Sequence, residues 1–220
     1  MSLVPEACPD VNHLKINENR AVLDGDGVIL DFDGSFAKVA CDVLGRSVAK
    51  ACQKYSLDER YGLTKAEFGR VWDAMEDHDS GWAGLAILPG AAQAVQQLKA
   101  HGLEVYMVTG IASRLASVRL ANLARYGIEL DGIECVGDGL ASKADEVAKI
   151  APVMFVEDRL RLLHESHFVP DRVWIDHGDD QDGHVVTEDI IRCTSLSQWV
   201  NQWSLRHARP TPSNRLRLVK

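Results

Sequence analysis

The sequence predicts an α/β fold, a mostly parallel sheet covered by helices on both faces, with a small helical block inserted after the first strand. Three observations lead there. From Pro89 onward, apolar strand-like runs alternate with amphipathic helical segments, the pattern of βαβ crossovers. Residues 36–80 carry a helical pattern that is too long for a single crossover. The composition (220 residues, 46% hydrophobic, 25% charged, 17 Gly, 7 Pro) is that of an ordinary globular chain, and its length suits one domain with an insertion. A chain of this size buries enough surface to need neither disulfides nor a structural metal.

Each element follows from local pattern. Residues 1–18 are polar and read as a loose lead-in. Ala21-Val22-Leu23 forms a short strand that runs into the acidic, glycine-rich segment DGDGVILDFDGS at 24–35. Within 36–80, Phe36, Val39, Ala40, Val43 and Leu44 recur at helical intervals, and the segment TKAE at 64–67 is a capping box opening a run to Met75. DSGWAG at 79–84 ends this block. Then come a helix over 90–101 stopped by Gly102, a strand over 103–110, and a helix over 113–126 stopped by Gly127. A strand at 132–136 follows, and Ser142 with Asp145 is a second capping box opening a helix. The pattern closes with a strand over 153–158, a helix over 159–166 and a strand over 172–176. The expected organisation is an α/β core of 1–35 and 81–220 carrying a helical cap of 36–80.

Charge and cysteines narrow the function classes. Lys and Arg number 24 against 32 Asp and Glu, a net charge of −8, which opposes approach to a nucleic-acid polymer or an anionic membrane. The five cysteines (Cys8, Cys41, Cys52, Cys135, Cys193) are odd in number and contain no CxxC pair, so neither a disulfide framework nor a zinc site is expected. No apolar run reaches membrane-spanning length, and MSLVPEACPDVN lacks the basic start and apolar core of a signal peptide. The expectation is a reduced, cytoplasmic protein, monomer or homodimer, acting on a small molecule.

In open parallel sheets ligands bind at the carboxyl ends of the strands. This chain places Asp24 and Asp26 there, then Thr109-Gly110, then Glu157-Asp158, with Lys143 opening the helix before the last of these strands. Carboxylates, a hydroxyl and an ammonium on one rim are the parts of a metal-assisted phosphoryl-transfer site.

The order of these parts resembles the haloacid dehalogenase superfamily, in particular its phosphatase branch, over residues 20–176. An apolar strand ending in DxDG, a strand ending in Thr (VYMVTG, Thr109), a lysine (Lys143 in ASKADEVAKI) and a strand ending in paired acids (VMFVEDR, Asp158) occur in the family's sequence. The first motif has two readings. DGDGV at Asp24–Val28 is followed by ILDF, and the stretch DGDGVILDF is similar to the 5′(3′)-deoxyribonucleotidases. DFDGS at Asp31–Ser35 has the better preceding apolar run. The first is preferred; under it Asp31 and Asp33 belong to a turn or flap.

The resemblance implies a Rossmann-like core and a chemistry. Asp24 would attack phosphorus to form an aspartyl-phosphate, and Asp26 would protonate the leaving oxygen and then activate water. Mg²⁺ would be held by Asp24, the carbonyl of Asp26 and Asp158, while Thr109, Gly110 and Lys143 would bind phosphoryl oxygens. Glu157 would orient Lys143 rather than hold the metal. Phe32, with Trp72 or Trp82, would stack a flat group such as a pyrimidine. The implied substrate is a small phosphorylated metabolite, a nucleoside monophosphate among them.

Competing readings are a phosphomutase or phosphotransferase using the same residues, and a non-catalytic binding protein of the same fold. The presence of Asp26 and Asp158 argues against dehalogenation, and the order of motifs against a response-regulator receiver. His164 and His167 lack a third zinc ligand and read as a helix face. The acidic stretch DHGDDQDGH at 176–184 reads as a solvated hairpin or lid, and the basic residues Arg206, Arg209, Arg215, Arg217 and Lys220 as a flexible terminus or docking strand.

Overall fold

Strand β1 (Asn17–Leu23) lies at the middle of the sheet, because its last three residues, Ala21, Val22 and Leu23, are fully buried and can only be satisfied by neighbours on both edges and both faces. The computed structural model describes residues 14–137 and 142–207. The lead-in through residue 13, with Cys8, and the tail residues Arg209, Arg215, Arg217 and Lys220 lie outside the described residues.

β1 pairs in parallel with β4 (Glu104–Thr109) on one side and β6 (Pro152–Glu157) on the other. β5 (Gly132–Cys135) extends the sheet beyond β4, and β7 (Asp171–Ile175) and β8 (Ile190–Cys193) extend it beyond β6. The order is β5-β4-β1-β6-β7-β8, parallel throughout. The chain therefore builds outward from β1 in one direction and then returns to build in the other. The crevice between β1 and β6 is the switch point, where a parallel sheet opens a ligand site.

Alternation along the strands sorts the core into two layers. Ala21, Leu23 and Met107 face one cluster with α4 (Ala91–Ala100) and α8 (Leu196–Arg206); Val22, Val108, Phe155 and Trp174 face the other with α6 (Ala144–Ile150) and α7 (Leu160–Glu165). The α/β Rossmann-like architecture expected from the alternating pattern is the one observed.

The helical block enters and leaves through a two-stranded antiparallel ribbon, β2 (Leu30–Asp31) with β3 (Ala86–Ile87). Between them run α1 (Phe32–Leu44), α2 (Leu57–Arg60) and α3 (Lys65–Ala74). α1 starts four residues before the periodicity suggests, because the Asp31 carboxylate accepts the Gly34 N–H and caps the helix at Phe32. α3 opens with the capping box at Thr64 and Glu67.

Other elements differ from their sequence expectation. The helix expected over 113–126 is a 3₁₀ turn (Ser113–Leu115) followed by α5 (Ala116–Ala124). α6 begins with Lys143 at its N-cap position, and the Ser142 hydroxyl accepts the Ala144 N–H instead of forming a capping box with Asp145. β1 also begins inside the expected lead-in, at Asn17. β8 and α8 were not anticipated. α8 nevertheless has a helical signature, with Ser195 capping Gln198 and Leu196, Trp199, Val200 and Trp203 buried on one stripe. Among the described residues no helix is long and apolar enough to cross a membrane.

Candidate active site

Three sequence-distant segments converge at the β1–β6 crevice. Asp24 follows β1 directly, its own N–H held by the Val156 carbonyl at 2.9 Å. Lys143 is nearly buried, and its ammonium lies 2.8 Å from Asp24 Oδ1 and 2.7 Å from Glu157 Oε2. Asp24 Oδ1 also accepts the Gly25 N–H at 2.6 Å. The other oxygen of Glu157 accepts the N–H groups of Asp158 and Arg159 at 3.2 and 3.3 Å. Glu157 is thus engaged at both oxygens, and Lys143 is fixed between two carboxylates.

This crowding has an electrostatic consequence. Burial, and then the Glu157 charge, push the Asp24 carboxyl up to about 7 despite Lys143. Burial likewise pushes Glu157 up to about 7, and burial with the Asp24 charge pushes Asp158 up to about 6. Burial alone would lower the Lys143 ammonium, but Asp24 and Glu157 outweigh it and hold it above its ordinary range. Three carboxyl groups face one ammonium, with Asp24 and Glu157 buried and Asp158 partly buried.

Oxygens of Asp24, Glu157 and Asp158 lie within 4.8 Å of one another. With both Glu157 oxygens holding hydrogen bonds, Asp24 and Asp158 are the carboxylates left to face a cation. Hard oxygen donors with excess negative charge suit Mg²⁺, so the residues present fit that ion. Gly27 makes this approach feasible: its φ of +75° is left-handed, and a Cβ there would collide with the Asp158 carboxylate.

Asp26 has a partner that the sequence did not suggest. The Arg119 guanidinium, buried on α5, grips its carboxylate with two bonds of 2.6 and 3.0 Å. Arg119 also lies 5.9 Å from the centre of the Trp82 ring. Thr109, at the end of β4, is fully buried, and its hydroxyl has no hydrogen-bond partner among the described residues. Gly25 leaves room beside it, since a Cβ there would sit 3.2 Å from Thr109 Oγ1.

A cavity of 690 Å³ opens above these groups, with Asp24, Asp26, Gly110, Lys143 and Asp158 among its lining residues. Phe32, in the first turn of α1, also lines it and stacks on Trp82 with centroids 5.4 Å apart. The alternative pair lines the same cavity from the helical block. Asp31 caps α1, and Asp33 pairs with Arg60 at 2.7 Å, both on the helical block. His164 stacks on His184 and meets the Val185 carbonyl, with no further ligand beside it among the described residues.

The acidic loop at 176–184 is not simply solvated. Asp179 reaches Lys50 and Arg60, Asp180 reaches Lys54, and His177 Nε2 lies 2.6 Å from the Gly27 carbonyl. His177, Asp179 and Arg119 are the site residues that sequence reasoning missed. A buried-arginine signal for Arg119 was present only as a charge on the apolar side of α5.

No protein-family model matches the chain, and no curated protein sequence matches it. Solved structures do. A predicted phosphoglycolate phosphatase from Haemophilus somnus superposes with a TM-score of 0.58 at 13% identity, covering 84% of this chain and 98% of that one. A candidate HAD-hydrolase from Bacillus subtilis, solved bound to magnesium, gives 0.54 at 15%, covering 84% and 99%. A defluorinating L-2-haloacid dehalogenase gives 0.54 at 15%, covering 90% and 99%. Identities this low speak to the fold: the chain has the haloacid dehalogenase-like fold. Phosphatases and dehalogenases share it, and the likeness does not single out the nucleotidase branch.

Proposed function

We propose that the chain is a Mg²⁺-dependent phosphomonoester hydrolase that acts through an aspartyl-phosphate on a small phosphorylated metabolite. The observation that carries this reading is the buried Lys143 ammonium bridging Asp24 and Glu157 beside Asp158, at the switch point of the sheet. It is a fixed carboxylate nucleophile with a fixed cation and an oxygen-donor set on one rim.

An oxygen of Asp24 attacks phosphorus, and the bond from phosphorus to the leaving oxygen breaks, its electron pair going to that oxygen. Asp26 gives the leaving oxygen a proton, then takes one from the water that attacks phosphorus. The second displacement breaks the bond to Asp24, which regains its carboxylate as inorganic phosphate leaves. Arg119 grips the carboxylate form of Asp26, so one of its two bonds must give way when Asp26 carries the proton. Asp24, the Asp26 carbonyl and Asp158 would hold a Mg²⁺, which when bound would supply positive charge to the phosphoryl oxygens. The buried Thr109 hydroxyl, which has no partner among the described residues, and the backbone of Gly110, which lines the cavity, would donate to those oxygens, and Lys143 would remain charged beside them. Glu157 orients Lys143. The aromatic wall at Phe32 and Trp82 supports a flat leaving group, a nucleoside among them.

Phosphate release from an aryl phosphate, with Mg²⁺ and with chelator, tests the reading in wild type, Asp24→Asn and Asp31→Asn. Metal-dependent turnover should fall roughly a thousandfold in Asp24→Asn and stay within about threefold of wild type in Asp31→Asn. Loss confined to Asp31→Asn would overturn the residue assignment, and turnover unaffected by chelator would overturn the metal.

A further inference from the structure

The cavity above Asp24 is chemically divided. One wall is aromatic: Phe32, Phe68, Trp72 and Trp82. Phe32 stacks on Trp82, Phe68 stacks on Trp72 at 5.8 Å, and Trp72 and Trp82 meet edge-on at 5.6 Å. The rings support one another, and Trp72 is still 41% exposed, so an apolar face stands open beside the reacting centre.

Four cationic side chains line the same cavity, and each has an acidic partner within the protein. Lys143 belongs to Asp24 and Glu157. Arg60, whose side chain is only 7% exposed, is held by Asp33 at 2.7 Å and Asp179 at 3.2 Å. Lys50 lies 2.5 Å from Asp179 and 3.7 Å from Asp33. Arg159 covers the Tyr55 ring at 3.6 Å and faces Asp182 at 3.7 Å. Lys50 and Arg60 at the distal end of the cavity are thus balanced one for one, by Asp33 from α1 and by Asp179 from the loop after β7, each carboxylate shared between the two cations.

We infer that the distal end of this site takes a neutral, flat or apolar leaving group and rejects a substrate carrying a second anion, with Asp33 and Asp179 as the excluding residues. The inference rests on the hydrolase reading for the phosphoryl end and adds the class of ester. A carboxylate or second phosphate placed beside Lys50 and Arg60 would have to displace Asp33 and Asp179, leaving those carboxylates without partners in a partly buried space. An aromatic ring pays no such penalty, since it buries apolar area against rings already in place. The acidic loop acquires a role by the same argument: it withdraws the positive charge that would otherwise attract an anionic tail.

Calorimetric titration of the protein in Mg²⁺ with two non-hydrolysable ligands, benzylphosphonate and phosphonoacetate, tests this without requiring turnover. Both carry the same methylene phosphonate; one ends in a phenyl ring, the other in a carboxylate. Benzylphosphonate should bind at least about tenfold more tightly, the order expected for partial burial of a ring. Asp179→Asn should tighten phosphonoacetate by about threefold, the order of one partly exposed ion pair. Trp72→Ala, at a position 41% exposed, should weaken benzylphosphonate and leave phosphonoacetate unchanged. Phosphonoacetate binding as tightly as benzylphosphonate, or benzylphosphonate failing to bind, overturns the inference. Benzylphosphonate binding with no phosphate released from phenyl phosphate would sink the hydrolase reading and leave the selectivity standing. Faster release from phosphoglycolate than from phenyl phosphate would do the reverse.

Discussion

Replacing Arg119 by methionine removes the guanidinium that holds Asp26 while keeping an apolar side chain of similar length inside α5. Arg119 is 2% exposed and its two bonds to Asp26 are 2.6 and 3.0 Å, so the pair is bidentate and desolvated on the arginine side. Taking one partner from a fully buried pair costs about 3–5 kcal/mol. The Asp26 side chain is 26% exposed and can be rehydrated once the guanidinium is gone, which lowers the expectation to about 2–3 kcal/mol. For a domain of this size that is a fall in Tm of roughly 5–10 °C. Urea unfolding of wild type, Arg119→Met, Asp26→Asn and the double variant would measure it, because the cycle isolates the pair from the lost contact with Trp82. A coupling of about 2 kcal/mol is expected between the two positions. A coupling below about 0.5 kcal/mol would refute the reasoning, since the two bonds would then contribute nothing beyond what water supplies to each group.

Two more predictions come from backbone and charge. Gly27→Ala should cost at least tenfold in turnover and about 1–2 kcal/mol in stability, because the new Cβ must adopt a left-handed backbone and strike the Asp158 carboxylate; kinetics and urea unfolding unchanged from wild type would contradict the close approach. Glu67 is held down to about 2 by Arg46 and by the N–H and hydroxyl of Thr64, from a reference of 4.5. Its folded value is depressed, so its contribution to α3 is complete above about 4.5 and disappears as pH falls toward about 2. The Tm difference between wild type and Glu67→Gln should therefore be largest near neutrality and shrink below pH 4.5, and a difference that grew on acidification would reverse the sign argued.

Much of this protein was decided within short stretches of chain. Each strand that carries a candidate site residue ends in an apolar run, and the polar groups stand where that run stops: Asp24 after Leu23, Thr109 after Val108, Glu157 and Asp158 after Val156. Burial pattern and turn chemistry act over a few residues, so the alternation of strand and helix and the capping box at Thr64 were legible. The elements that escaped notice were those whose local signal is weak. The ribbon β2–β3 is two residues per strand and exists only because the chain returns to it 56 residues later.

The tertiary structure decided what depends on pairing between distant residues. Two acidic pairs, Asp24/Asp26 and Asp31/Asp33, stand close together in the sequence, and only folding gives them different surroundings. The sheet order sets Asp24 in the β1–β6 crevice and gives Asp31 a helix to cap, because only strand pairing determines which acidic cluster faces Lys143. Arg119 meets Asp26 across 93 residues, and Asp179 meets Lys50 across 129. A charge in a loop reads the same in sequence whether it is solvated or consumed by a partner. Its role was settled only when folding set the distance, since Coulomb energy depends on separation and on exclusion of water rather than on position along the chain.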